Sequence, residues 1–153
     1  MKSLIVCIVL KQGEVLKKEV LKGISEYDTL IITSLPDSYT DRQLSINRNW
    51  RRLQETIHDD LPKYAKYNFV LLLDSDVVIP EGSIKILESY AKKGTTPCID
   101  THEGKGGHII TSCALVELYD FLKLDYSKSC CPCGLMQNQF YISEVKGYEI
   151  KRQ

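Results

Sequence analysis

The sequence predicts an α/β fold, a mostly parallel sheet flanked by helices on both faces, and three observations carry that reading. Short apolar runs at residues 4–10, 30–33 and 69–73 are rich in β-branched and leucine side chains, as strands buried on both faces are. Apolar residues between and after them recur at helical spacing. The resulting order of strand and helix, three times over, calls for right-handed crossovers and hence parallel neighbours.

The first run, 4–10, stands behind Met1-Lys2-Ser3 in the manner of a secretory signal, but it is short, contains Cys7 and leads into Lys11-Gln12-Gly13-Glu14 instead of a small-residue cleavage site. It reads as a buried strand. A first helix is expected over 14–22, stopped by Gly23. The second helix opens with Thr40 and Gln43 as a capping box, and Ile46, Trp50, Leu53, Ile57 and Leu61 form its inward stripe. Asn47, Arg51 and Gln54 make a polar row on its other side, with Arg48 adjoining. The third strand, 69–73, ends at Asp74-Ser75-Asp76, and a third helix is expected over 83–93 after Pro80, ending at Gly94. Residues 93–107 hold four glycines with His102 and Glu103, the composition of a loop near a site. A strand over 108–111, a helix over 114–122 and an edge strand over 148–151 complete the expectation.

At 153 residues and 43% apolar content the chain suits one domain, 1–153, with a real core. Lysine plus arginine equals aspartate plus glutamate, 20 each, so no net field draws it to nucleic acid or an anionic membrane. No stretch approaches the roughly 20 apolar residues of a transmembrane segment, and the expected compartment is cytoplasmic. Among the six cysteines, Cys130-Cys131-Pro132-Cys133 places three together. Zinc there would take a fourth ligand from Cys98, Cys113, His102 or His108, but the paired C-x-x-C of a structural site is missing. Buried thiols or a disulfide are the alternative.

In parallel sheets ligands bind beyond the carboxyl ends of the strands, so the polar loops 11–14, 34–41 and 74–76 should converge there. Asp74 and Asp76, one residue apart just past a buried strand, offer hard oxygen ligands to Mn2+ or Mg2+, whose other positions suit water and phosphate oxygens. Such an ion neutralises a diphosphate leaving group. The competing reading is a pair of solvated acids ending a strand. His108 is a candidate third ligand.

Asp74-Ser75-Asp76, with the apolar strand before it and Pro80 after it, resembles the D-x-D segment of the inverting family-two glycosyltransferases of GT-A fold. Pro36-Asp37-Ser38-Tyr39-Thr40-Asp41 is similar to that family's acidic turn after the second strand. Ile46-Asn47-Arg48-Asn49 is similar to its A-R-N segment, and Lys146-Gly147-Tyr148-Glu149-Ile150 to its terminal G-Y-x-I strand. The resemblance implies a single Rossmann-like domain binding a nucleotide-diphosphate sugar and moving the sugar to an acceptor. It implies that Asp37 contacts the base, that Asp74 with Ser75 lies at the ribose or metal-bound waters, that Asp76 holds the metal, and that Asn47 and Arg48 lie near the diphosphate. One departure stands out. Where the family has an acidic pair supplying the general base, this chain has Gly134-Leu135-Met136-Gln137-Asn138. Asp100, Glu103 or Asp125 must then serve, or transfer is retaining, or the chain binds a nucleotide sugar without transferring it. Asp74-Ser75-Asp76 also resembles the nucleophile motif of haloacid-dehalogenase-like phosphatases, with Asp74 as nucleophile and Ile109-Ile110-Thr111-Ser112 as a second motif. In that family the nucleophile usually ends the first strand, and its later acidic pair is missing here.

Overall fold

A computed structural model describes residues 4–36, 40–92, 94–99, 113–127, 141–144 and 151–152. Strand β1 (Leu4–Leu10) is the hub: it pairs in parallel with β2 (Asp28–Thr33) on one side and β3 (Phe69–Leu73) on the other. Helix α1 (Lys18–Ile24) makes the first crossover, and α2 (Arg42–Asp59) with the short α3 (Leu61–Tyr64) makes the second. After the two-residue β4 (Val77–Val78) come α4 (Ser83–Tyr90), β5 (Thr95–Cys98), β6 (Cys113–Glu117), α5 (Leu118–Lys123), β7 (Tyr141–Glu144) and β8 (Lys151–Arg152). The described strands form a six-stranded sheet in the order β2-β1-β3-β6-β5-β7 and a separate β4-β8 pair. The α/β expectation holds, and the sheet is mixed: β6 runs antiparallel to both β3 and β5, while β7 is parallel to β5.

Period-two alternation splits the core into two layers. Ile5, Cys7, Val70 and Leu72 face α2, α3 and α5, where Trp50, Leu53, Ile57, Tyr64 and Phe121 meet them. Leu4, Val6, Ile8, Leu71 and Leu73 face α1 and α4, against Val20, Ile24, Ile84 and Leu87. Each fully buried Leu or Ile stabilises the fold by roughly 1.5–3 kcal/mol, so these two layers hold the sheet edge on which the site stands.

Several elements differ from expectation. Helix α1 begins at Lys18 and contains Gly23, which does not stop it. A Cβ at Gly23 would sit 3.1 Å from the Ile79 carbonyl oxygen, so glycine is there because the helix approaches the chain beyond β4 closely. The N-cap of α2 is Asp41, not Thr40: its carboxylate accepts from the amides of Gln43 at 2.8 Å and Leu44 at 3.4 Å. The polar row on α2 divides. Arg51 stays outside and pairs with Glu55, whereas Asn47 and Gln54 are buried. Gln54 Nε2 donates to the carbonyls of Phe121 at 2.7 Å and Leu124 at 2.8 Å, tying α2 to α5.

Helix α4 stops at Tyr90, and Gly94 lies beyond it in a left-handed turn with φ 80°, its amide donating to Asp120 Oδ2 at 2.7 Å. Residues 114–117, expected as helix, are strand. Cys113 to Val116 are all buried between β3 and β5, and a short apolar run covered on both faces carries no period to separate strand from helix. The expected strand at 108–111 lies outside the described residues, as does most of the one at 148–151, of which β8 takes up Lys151. Among the described residues no helix is long and apolar enough to cross a membrane.

Candidate functional site

The carboxyl ends of β1, β2 and β3 lie side by side because the three strands are parallel and in register. The loop leaving β1 is closed on itself. Gly13 takes a left-handed φ of 77°, the Glu14 amide donates to the Lys11 carbonyl at 3.0 Å, and the Lys11 amide donates to Glu14 Oε1 at 2.9 Å. The loop leaving β2 is joined to it where the Ser34 amide donates to the Leu10 carbonyl at 2.6 Å.

After β3 the chain turns at once, the Val77 amide donating to the Asp74 carbonyl at 3.2 Å, so Asp74, Ser75 and Asp76 are carried on a tight turn at the sheet edge. All three are half-buried. Ser75 Oγ donates to Glu14, 3.0 Å from Oε1 and 3.1 Å from Oε2. That contact spans 61 residues and fastens the D-x-D turn to the β1 loop. The far side of the turn is fastened by β4, whose Val77 and Val78 pair antiparallel with Arg152 and Lys151. Asp74 also acts electrostatically on its surroundings: burial first, and the Asp74 charge second, push the Cys113 thiol up to about 12.

Helix α2 secures the third loop. Asn49 Oδ1 accepts from the Leu35 amide at 3.1 Å and from Arg52 Nη1 at 3.1 Å, while its Nδ2 donates to the Ser45 carbonyl at 2.9 Å. Arg52 Nη1 donates to the Thr33 carbonyl at 2.8 Å, and Arg48 Nη2 to the Pro36 carbonyl at 2.6 Å. One face of α2 thus holds the chain that leads from β2 to position 37.

Of the residues expected at the site, Asp74, Ser75 and Asp76 stand together on one turn, and Arg48 stands by the neighbouring loop. Asn47 is fully buried in α2. Asp125 is exposed after α5, accepting from the Ser127 amide at 2.9 Å. Asp37, Asp100, Glu103, His102 and His108 lie outside the described residues, as do Cys130, Cys131 and Cys133. The chain leaves the described sheet at Ile99 and re-enters at Cys113, and the Ile99 amide donates to the Cys113 carbonyl at 3.0 Å. Cys113 is paired with Leu73, so both points are at the edge where Asp74 stands. Cys98 and Cys113, offered as zinc ligands, are buried thiols within the sheet.

The sequence assigns no individual role to Glu14, Asn49 or Arg52. It brings the polar loop 11–14 to the site but also starts the first helix at Glu14, whereas α1 begins at Lys18 and leaves Glu14 in that loop. Arg52 follows Arg48 by four residues and Asn49 by three, the helical spacings that make it a neighbour of each.

Among the described residues no group of three or more His, Cys, Asp and Glu side chains gathers to hold a metal ion. Two carboxylates flanking one turn are nevertheless a donor set that fits Mn2+ or Mg2+ bound mainly through water and phosphate oxygens.

No protein-family model matches this chain, and no curated protein sequence matches it. Solved structures do. Protein A197 from STIV superposes with a TM-score of 0.61 at 7% identity, over 100% of this chain and 86% of that one. A glycosyltransferase involved in glycosylation of the major capsid of PBCV-1 gives 0.53 at 13% identity, over 80% of this chain and 65% of that one. The catalytic domain of Drosophila β1,4-galactosyltransferase 7, in complex with xylobiose, gives 0.54 at 8% identity, over 96% of this chain and 66% of that one. The chain has a glycosyltransferase-like fold. It spans about two thirds of the length of the two glycosyltransferases.

Proposed function

We propose that the protein is a metal-dependent glycosyltransferase that takes its sugar from a nucleotide-diphosphate donor bound at the carboxyl ends of β1, β2 and β3. The observation that carries this reading is the D-x-D turn after β3, clamped by Glu14 to the β1 loop, on a fold shared with glycosyltransferases. Asp76, with Asp74, would hold Mn2+ or Mg2+, and His108 is a third candidate. The ion, when bound, supplies charge neutralisation to the departing nucleoside diphosphate. Glu14 keeps Ser75, and so the two flanking carboxylates, in one arrangement before donor arrives, which limits the ordering cost of binding. Arg48, Asn49 and Arg52 fix residues 33–36, the stretch of chain just before Asp37, which is assigned to the nucleotide base. In an inverting reaction the acceptor hydroxyl must give its proton to a positioned base. Asp100 and Glu103 are assigned that role: they belong to the segment that leaves the sheet at Ile99 and returns at Cys113, on the edge where Asp74 stands.

A thermal-shift screen of nucleoside diphosphates and nucleotide sugars, with and without Mn2+, tests the reading. Stabilisation by at least one of them that depends on Mn2+ supports it, since a ligand at a hundred times its Kd adds about 2.7 kcal/mol. No stabilisation by any of them, or a trapped phosphoaspartate at Asp74, overturns it.

A further inference from the structure

A cleft of about 560 Å³ lies beside β2 and shares no lining residue with the D-x-D turn. Five consecutive residues, Tyr27 to Ile31, form one wall, so the cleft follows the strand itself and not only one of its faces. β2 is the outermost strand of the sheet, and among the described residues no strand pairs with its outer side. Alternate N–H and C=O groups of an outer strand point away from its neighbour and are a template for another chain. Against such pairing β2, Asp28-Thr29-Leu30-Ile31-Ile32-Thr33, carries one charged side chain, Asp28 at its start, and no lysine, proline or bulge, and its Ile31 is 39% exposed.

The opposite wall is built from α3 and the turn after it. Tyr64 and Tyr67 are buried and give an apolar floor with Ile5 and Leu30. Lys63 and Lys66 stand exposed at the rim, their ammonium groups 5.4 Å and 5.2 Å from the Tyr64 and Tyr67 ring centres. The acid in the cleft, Asp28, is engaged: its Oδ2 accepts from the Tyr67 hydroxyl at 2.5 Å. Asp28 keeps its negative charge, but Lys63 and Lys66 outnumber it, so the lining carries a net positive charge towards a ligand.

We propose that this cleft is a docking groove for an extended, acidic peptide segment of a partner protein, which adds to the outer edge of β2 as a further strand. Main-chain hydrogen bonds to β2 supply affinity that is indifferent to sequence, and the α3 wall supplies selectivity. Side chains of an added strand alternate, so every second one falls on the face of Leu30, Tyr64 and Tyr67 and should be apolar. Acidic residues beside them meet Lys63 and Lys66. The proposal does not depend on the transferase reading, because the groove opens at the amino ends of β1 and β2, away from the carboxyl ends that carry Asp74 and Asp76.

The test uses the full chain against immobilised hexapeptides whose alternate positions are apolar and whose remaining positions are all acidic, all neutral or all basic. The acidic set is expected to bind at least tenfold more tightly than the basic set, and more weakly as salt rises. The double variant Lys63→Glu, Lys66→Glu, at exposed positions that leave the core intact, should lose that preference. N-methylation of alternate peptide amides should abolish binding, and the backbone amide shifts of bound protein should centre on residues 28–32. Equal binding of the three sets, unchanged preference in the double variant, or amide shifts away from β2 overturns the proposal. So does self-association of the chain through β2 that acidic peptides fail to compete.

Discussion

Replacing Glu14 by alanine removes the acceptor that holds Ser75 Oγ and the Lys11 amide, and with it the link between the D-x-D turn and the β1 loop. Hydrogen bonds to a charged acceptor contribute about 1.5–3 kcal/mol, and half-burial of Glu14 puts its bond to Ser75 near the lower end. If that energy keeps the turn ordered for its ligand, the Mn2+-dependent Kd for a nucleoside diphosphate rises about tenfold, the equivalent of about 1.4 kcal/mol. Glu14→Gln retains one carbonyl acceptor and should weaken binding by about threefold, roughly half that energy. Titration calorimetry on wild type, Glu14→Ala, Ser75→Ala and the double variant reads the effect. The two single losses should not add, because each deletes the same bond. The reasoning fails if Glu14→Ala binds the nucleotide within twofold of wild type, or if the two losses add in full.

Gln54→Ala deprives two buried carbonyls of their donor and should cost about 2 kcal/mol in urea unfolding with an unchanged m-value; a loss below about 0.5 kcal/mol would mean that water replaces the amide. Tyr67 is held protonated up to about 12, by burial first and then by its hydrogen bond to Asp28 and that acid's charge. Because the folded-state value is raised, the stabilisation is complete below the ordinary tyrosine value near 10 and is lost as pH rises from there to about 12. Tyr67→Phe should therefore show a shallower alkaline loss of stability than wild type, and identical profiles would remove Tyr67 as its cause. Changing Asp100 or Glu103 to its amide should lower the turnover number at least tenfold with little change in donor affinity, given that positioned acid–base help contributes about a hundredfold or more. Wild-type rates in both amide variants would move the base elsewhere or leave transfer retaining.

What the sequence disclosed and what it hid follow from the range of the forces involved. The strands at 4–10, 30–33 and 69–73 and the stripe of Trp50, Leu53 and Ile57 were legible because burial on a sheet face or helix stripe writes its period into neighbouring residues. Residues 113–117 were not, because burial on both faces erases the period that would mark a strand. The cap at Asp41 was read one residue early, since Thr40 offers the same kind of acceptor and only the backbone turn chooses between them. Gly23 was misread for a related reason: its role is contact with Ile79, 56 positions away by their numbers, and nothing local announces it.

The candidate site divides in the same way. Asp74 and Asp76 announced themselves as an acidic pair closing an apolar run. Glu14 did not, because its meaning lies in Ser75, 61 residues distant, and appears only when β1 and β3 are laid side by side. Gln54 is the reverse case. It reads as one of a solvated row until α5 is packed over it, whereupon its amide becomes an internal donor.

The central claim, that the turn after β3 holds a nucleotide-sugar donor through a metal ion, is tested most directly by crystals grown with a nucleoside diphosphate and Mn2+ and measured at the manganese absorption edge. The account predicts one anomalous peak against the Asp76 carboxylate with the diphosphate beside it, beyond the carboxyl ends of β1 and β3, and no peak in Asp76→Ala. A nucleotide bound without manganese, or a manganese peak that persists in Asp76→Ala or lies at another end of the sheet, would contradict it.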